Sequence, residues 1–326
     1  MHPAFSVIFL TTLIGVGQGL FLAIFTGQSY AAVELLPTED SVKFYGTGAM
    51  IALAFLVGGL IASVFHLGRP ERAWRAASKW RTSWLSREVI ALPLVMGLIF
   101  LFGVMHFFGW DTVLFTSSTG ARLQATLVVG TLGALATFAL FLCTGMIYAA
   151  IKFLQEWSTP LTVINYLLLG TMSGFTLAVA FASSTAPDLV NFFAIWTTII
   201  TVAALIFRAA SLIRNKRIKY KSSLQTALGI RHTEIQQKSM GFMGGSVNTR
   251  DFFHHSSQMF MKSIKWVFLI LVFPVPMFFM WSGIETGNNT TLIAAFVIQY
   301  IGLLAERWFF FAQANHPQNL YYQTVS

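Results

Sequence analysis

Charge is scarce in this chain. Asp, Glu, Lys and Arg make up 10% of its 326 residues, where an ordinary soluble domain carries roughly 25%. With 56% hydrophobic residues, a single soluble core of this size cannot hide so much apolar surface, whereas a bilayer can. Cysteine is nearly absent. Cys143 is the one thiol and sits inside an apolar run, which excludes a disulfide framework, a Cys-rich zinc site and a cysteine-ligated iron–sulfur cluster in this chain. It reads as a small buried hydrophobe. A basic segment ahead of the first apolar run is also missing, and that run is too long for a secretory h-region, so no cleavable signal peptide is expected.

What is present is a series of long apolar runs, near 4–32, 45–66, 88–108, 123–151, 160–184, 189–211, 264–283 and 291–313. Each approaches the ~20 residues that cross a hydrocarbon core as a helix. In lipid the backbone must satisfy its own hydrogen bonds, which a helix does within one segment. The expected fold class is an all-α integral membrane protein with about eight transmembrane helices. The first and fourth runs exceed the membrane thickness and are expected to tilt or protrude. Glycine patches (Gly15, Gly17 and Gly19; Gly130 and Gly133; Gly170 and Gly174) fit close helix packing.

The net charge of +9 does not point to nucleic acid, because the basic residues lie between spans. With eight spans, sixteen Lys and Arg fall on the side of both termini, from Arg69 to Lys262, against Lys43 and Arg122 on the other. The positive-inside rule then places both termini in the cytoplasm. The Asn288–Thr290 sequon falls on the opposite side and reads as a polar turn. The chain is expected to form one domain over 1–326, with a long cytoplasmic connection at 212–263. Its stretch KSMGFMGGSVNTRDFFHHSS alternates glycines and aromatics without simple repeats. That argues for a folded docking surface; a flexible basic loop on anionic lipid is the alternative.

Ionisable groups at membrane depth are costly, and each is a functional candidate. His66 ends the second run within VFHLGRP and Glu88 opens the third within WLSREVI, so the two flank one basic loop that holds Arg69 and Arg72. Glu306 and Arg307 sit about two turns inside the last run. Adjacent residues point about 100° apart on a helix, so they are expected to need different partners. Asn165 and Tyr166 lie about one turn into the fifth run. Each has a plainer role: interfacial residues for His66, Arg69 and Arg72, an arginine pair gluing helices for Glu306, a helix–helix hydrogen bond for Asn165. His106 lies near the other end of the third run and cannot share a haem with His66. His2, His254, His255 and His316 lie at span ends or in the loop. No haem is expected, and His106 reads as interfacial. A polar cluster rimmed by aromatics under one face suits a quinone, whose carbonyls need donors, whose reduction needs two protons and whose tail needs access from lipid. A transporter and a purely structural anchor are the alternatives. A transporter is disfavoured because the charges crowd one face and the helices look mostly unbroken.

The stretch SVFHLGRPERAWRAASKWRTSWLSREVIAL resembles the membrane subunit of dimethyl sulfoxide reductase and its relatives, the DmsC branch of the NrfD/PsrC superfamily. The shared pattern is a helix-ending His-Leu-Gly-x-Pro (His66, Leu67, Gly68, Pro70) followed by Leu-Ser-x-Glu (Leu85, Ser86, Glu88). Glu306–Arg307 resembles an acidic-to-basic pair in the family's last helix, with altered spacing. The resemblance implies a subunit without redox metal, exchanging electrons with ubiquinone or menaquinone beside His66 and Glu88. It also implies an iron–sulfur partner and a molybdenum partner with a bis-pyranopterin cofactor. Arg69 and Arg72 would balance charge on the reduced quinone or dock the partner. Two features depart from the dimethyl sulfoxide reductase type: the 212–263 connection and an orientation that puts the His66 face in the cytoplasm. The segments MHPAFSVIFLTTL, SSLQTALGI and ANHPQNLYYQ resemble the branch that serves cytoplasmic sulfite dehydrogenases. The implied function is therefore a quinone-reducing anchor of a sulfite-oxidising molybdoenzyme in the bacterial inner membrane. A quinol-oxidising anchor of a reductase is the alternative within the family.

Overall fold

A computed structural model describes residues 1–116, 122–236, 238 and 251–321. Eight helical segments among them are long and apolar enough to cross a membrane, so the chain is a multi-pass membrane protein. In order they are α1 (Phe5–Ala32), α2 (Thr47–Val64, led in by a π-turn at Ser41–Gly46), α3 (Trp84–Phe108), α4 (Ala125–Ala149), α5 (Pro160–Thr185) and α6 (Val190–Lys216). A short α7 (Leu224–Leu228) follows, then α8 (Gln258–Val272), α9 (Pro274–Thr286) and α10 (Asn289–Ala312). A two-stranded hairpin, Val113–Thr116 with Arg122–Gln124, caps α3 and α4. α8 and α9 together make the seventh span, Gln258–Thr286. The N-terminus lies beside the end of α10, where the Met1 amino group donates to the Ala314 carbonyl at 2.8 Å.

α1 is the central helix. Its burial continues around most of its circumference, as for a helix enclosed by other helices rather than facing lipid. Glycine makes that enclosure possible. A Cβ on Gly174 of α5 would overlap the backbone of Gly19 and Leu20, and one on Gly19 would meet the backbone at Gly170 and Thr171. Only residues without a side chain let these two backbones approach so closely.

The seventh span departs from the expectation of unbroken helices. Phe273 leaves helical geometry (φ −110°, ψ −76°) before Pro274 and Pro276. Proline cannot donate a backbone hydrogen bond and clashes with the turn before it. The carbonyl of Val272, four residues before Pro276, instead accepts from Gln299 Nε2 of α10 at 3.3 Å. Gln299 is wholly buried, so the break is sealed by a neighbouring helix rather than opened to a transported ion. The Asn288 sequon serves as the N-cap of α10, its side chain accepting from the Thr290 amide at 3.0 Å.

Of the 212–263 connection, residues 237 and 239–250 lie outside the described residues, and with them most of KSMGFMGGSVNTR. The parts on either side are folded. α7 has a capping box between Ser223 and Thr226. Asp251 accepts from the His2 amide, Phe252 stacks on His316 with ring centroids 3.8 Å apart, and Tyr321 donates to the Ala227 carbonyl. The connection is thus tied at both ends to the face that carries the termini.

Candidate functional site

Glu88 sits in the second turn of α3, which starts where the Ser83 side chain accepts the Ser86 amide. Thr144 of α4 donates to Glu88 Oε1 at 2.5 Å. The carboxylate lines a narrow cavity of about 20 Å³, room for roughly a single water. The other walls come from α1 (Thr11 and Gln18), α5 (Tyr166 and Ser173) and α10 (Arg307). Tyr166 lies in the second turn of α5, begun by the Thr159 cap and Pro160. It stacks on Tyr148 of α4 (5.5 Å, 13°), and its hydroxyl is buried beside Tyr148 and Arg307 with no aligned hydrogen bond. Arg307 lies over the Tyr166 ring, 3.8 Å from guanidinium carbon to centroid, where cation–π attraction is strongest in a dry setting. Trp157, Phe310 and Phe311 close the site on the side of the termini, with Trp157 Nε1 bound to the Phe310 carbonyl at 2.9 Å.

Glu306 is fully buried. Its Oε1 lies 2.8 Å from Arg208 Nη2 of α6, and its Oε2 lies 3.4 Å from Arg307 Nε. Neither contact is aligned as a hydrogen bond, so both are charge contacts. The expectation that Glu306 and Arg307 need separate partners is corrected here. The arginine stem folds back along the helix, and away from water one carboxylate gathers both guanidiniums. The plainer role for Glu306, pairing with an arginine to join helices, is what the Arg208 contact provides. Asn165, on α5 beside this cluster, donates to the Phe207 carbonyl of α6 at 3.5 Å, a helix–helix bond, and does not line the cavity.

His66, Arg69 and Arg72 lie elsewhere. All three are exposed where α2 ends and a 3₁₀ segment (Pro70–Lys79) begins. Partial desolvation lowers the His66 pKa below its ordinary value. Arg72 lies 3.7 Å from Glu71 with both side chains more than half exposed, too wet to contribute much stability. Arg87 turns toward the loop, over Trp84 and onto the Trp80 and Arg81 carbonyls. The structure therefore brings Glu88 and Arg307 to one cavity, holds Glu306 behind them, and leaves His66, Arg69 and Arg72 exposed outside it.

Sequence reasoning missed Arg208, which lies eight residues from the end of α6 and was overlooked among the loop bases that follow it. Thr144 and Tyr148 gave no signal, being ordinary in an apolar run. His106 is corrected from an interfacial residue to a buried one, 3% exposed. Its Nδ1 lies 2.7 Å from Ser41 Oγ and its Nε2 lies 3.4 Å from Gln28 Nε2. Gln28 also donates to Thr126, which donates to Asp111. This network sits at the far end of the bundle from Glu88, and Phe21, Phe25 and Phe102 pack between the two. Among the described residues no cluster of His, Cys, Asp and Glu could hold a metal ion.

An eight-span bundle with a charged cluster near one end defines a multi-pass membrane protein. The chain belongs to the DMSO reductase anchor subunit (DmsC) family, whose pattern matches residues 1–312. It is 54% identical over 326 residues, covering all of both chains, to a subunit of the sulfite dehydrogenase of Allochromatium vinosum. The resemblance carried by VFHLGRP and WLSREVI is borne out at the level of the family.

Proposed function

We propose that this chain is the quinone-reactive membrane anchor of a sulfite-oxidising molybdenum/iron–sulfur enzyme docked on the cytoplasmic face of a bacterial inner membrane. The observation that carries the site is that Glu88, Tyr166 and Arg307, drawn from three helices, line one cavity directly beneath the face of the termini. The family match and the full-length similarity to a sulfite dehydrogenase subunit support the setting.

The residues fit a quinone head group. The fit rests on the buried Tyr166 hydroxyl, which makes no aligned hydrogen bond beside Tyr148 and Arg307, and on Glu88, the one carboxylate on the cavity. The cavity is too narrow for the ring, so the head binds at its mouth, between Glu88 and the exposed His66. A quinone supplies the two-electron, two-proton acceptor. Glu88 holds a proton at its carboxyl, oriented by Thr144, and passes it to the head. His66 donates to the carbonyl nearer the aqueous face and exchanges protons with the cytoplasm. Tyr148, Trp157 and Phe310 exclude bulk water behind them. The basic segment from Arg69 to Arg87 and the folded ends of the 212–263 connection form the platform for the iron–sulfur partner, through which electrons arrive from the molybdenum partner.

The test is sulfite-dependent reduction of a short-chain quinone by the purified complex of all three proteins. The reading requires that activity in the wild type and its loss in an assembled Glu88→Gln complex that still passes electrons from sulfite to a soluble dye. Undiminished quinone reduction in that variant refutes the site.

A further inference from the structure

We propose that the Arg208–Glu306–Arg307 triad makes the Glu88 cavity selective for a negatively charged head group, with Arg307 as the residue that faces it. This rests on the quinone reading above. Two guanidiniums share one carboxylate here, at 2.8 and 3.4 Å. An arginine does not deprotonate in a protein, so the triad carries one positive charge in excess. It carries it at 1%, 0% and 4% exposure for Arg208, Glu306 and Arg307, where an unbalanced charge is expensive.

The groups facing this charge are few. α1 offers Thr11, Thr12 and Gln18, which do not ionise. α4 and α5 offer Tyr148 and Tyr166, which are neutral near pH 7, as is Cys143 of α4. Glu88 of α3 is the one carboxylate on the cavity, and Arg87 beside it is engaged with loop carbonyls. Glu88, when ionised, is the one negative charge on the cavity wall that can offset the triad. When Glu88 takes a proton, the excess positive charge returns, and an anion at the mouth restores neutrality. Proton on Glu88 and negative charge on the head group become linked binding events. That linkage suits an overall reaction in which a quinone gains two electrons from sulfite through the partner chains and two protons to become a quinol. Arg307 rather than Arg208 faces the cavity, because only Arg307 lines it. Glu306 and Arg208 offset one another in charge, which leaves Arg307 as the excess.

The purified complex would be titrated with two probes: a hydroxyquinoline N-oxide, an acidic quinol analogue followed by fluorescence quenching, and a neutral short-chain quinone followed by its KM. In Arg307→Gln the acidic probe should lose at least ~10-fold more affinity than the neutral quinone loses in KM, as removal of one nearby charge in a partly buried site predicts. Arg307→Lys should keep most of the preference. The double variant Arg208→Gln/Glu306→Gln removes a charge pair and leaves Arg307, so it should discriminate as the wild type does. Retention of the partner proteins on purification shows that each variant folds. Wild-type affinity for the acidic probe in Arg307→Gln overturns the proposal, as does loss of discrimination in the double variant. If the wild-type complex binds neither probe, the quinone reading itself falls, and the charge proposal with it.

Discussion

Thr144 on α4 donates its hydroxyl to Glu88 on α3, fixing one oxygen of the single carboxylate on the cavity. General acid–base groups contribute typically ~10²–10⁴-fold. Glu88→Gln should therefore cost at least ~100-fold in quinone reduction. Thr144→Val, which removes only the orienting hydrogen bond worth about 1 kcal/mol, should cost roughly tenfold or less. Steady-state assay of both in assembled complexes checks the order, and a Thr144 variant as impaired as the Glu88 variant contradicts it.

His66 stands exposed at the end of α2 and outside the cavity. Replacing it with alanine should leave helix packing and complex assembly untouched while lowering quinone turnover by ~10-fold or more, the lower end of what a proton-transferring group supplies being ~10². Equal turnover in wild type and His66→Ala would leave Glu88 as the only proton-handling side chain of the two.

Gly174→Ala should be poorly tolerated. The added methyl meets the backbone of Gly19 and Leu20, which cannot rotate away as a side chain does. Overpacking typically costs ~1–3 kcal/mol even where side chains can yield. The expected outcome is reduced accumulation in the membrane and a lower detergent-solubilised melting temperature. Gly97→Ala, where nothing lies within 4 Å of the new carbon, is the matched control and should behave as wild type.

The contact between the 251–257 segment and the C-terminal tail should loosen in acid. His316, stacked on Phe252, and His254 both have pKa values lowered by burial and then by the nearby N-terminal amine. A histidine with a lowered folded-state pKa binds its proton better when released. Its contribution is complete above the ordinary value near ~6.5 and is lost as pH falls below it. Hydrogen exchange over 251–257 and 313–321, corrected for intrinsic rates, should be faster at pH 5.5 than at pH 7.5, with the α1 core unchanged. Protection independent of pH would show that these imidazoles do not gate the contact.

Eight spans, the clustering of bases in the loops beside the N-terminus and the presence of Glu88 at an apolar boundary were legible in the sequence. Hydrophobic length is a local property that a bilayer reads directly, and a carboxylate next to an apolar run is conspicuous wherever it falls. The glycines at 15, 19, 170 and 174 announced close packing, but nothing in their spacing paired α1 with α5. Pro274 and Pro276 stand in the sequence, but the seventh run reads as unbroken there. That the break is sealed by Gln299, and so opens no ion path, depended on which helix lies alongside.

Only the tertiary structure decided which charges meet. Arg208 and Glu306 are far apart in the chain, and their 2.8 Å contact arises because α6 and α10 both bound the cluster around α5. The same packing put Arg307 on the cavity with Glu88 and kept His66 off it. The reason is physical: a chain's hydropathy sets how many times it crosses lipid, since each span satisfies its own backbone hydrogen bonds, whereas a side chain's partner is set by helix rotation and neighbour choice, which depend on shape complementarity across the whole bundle.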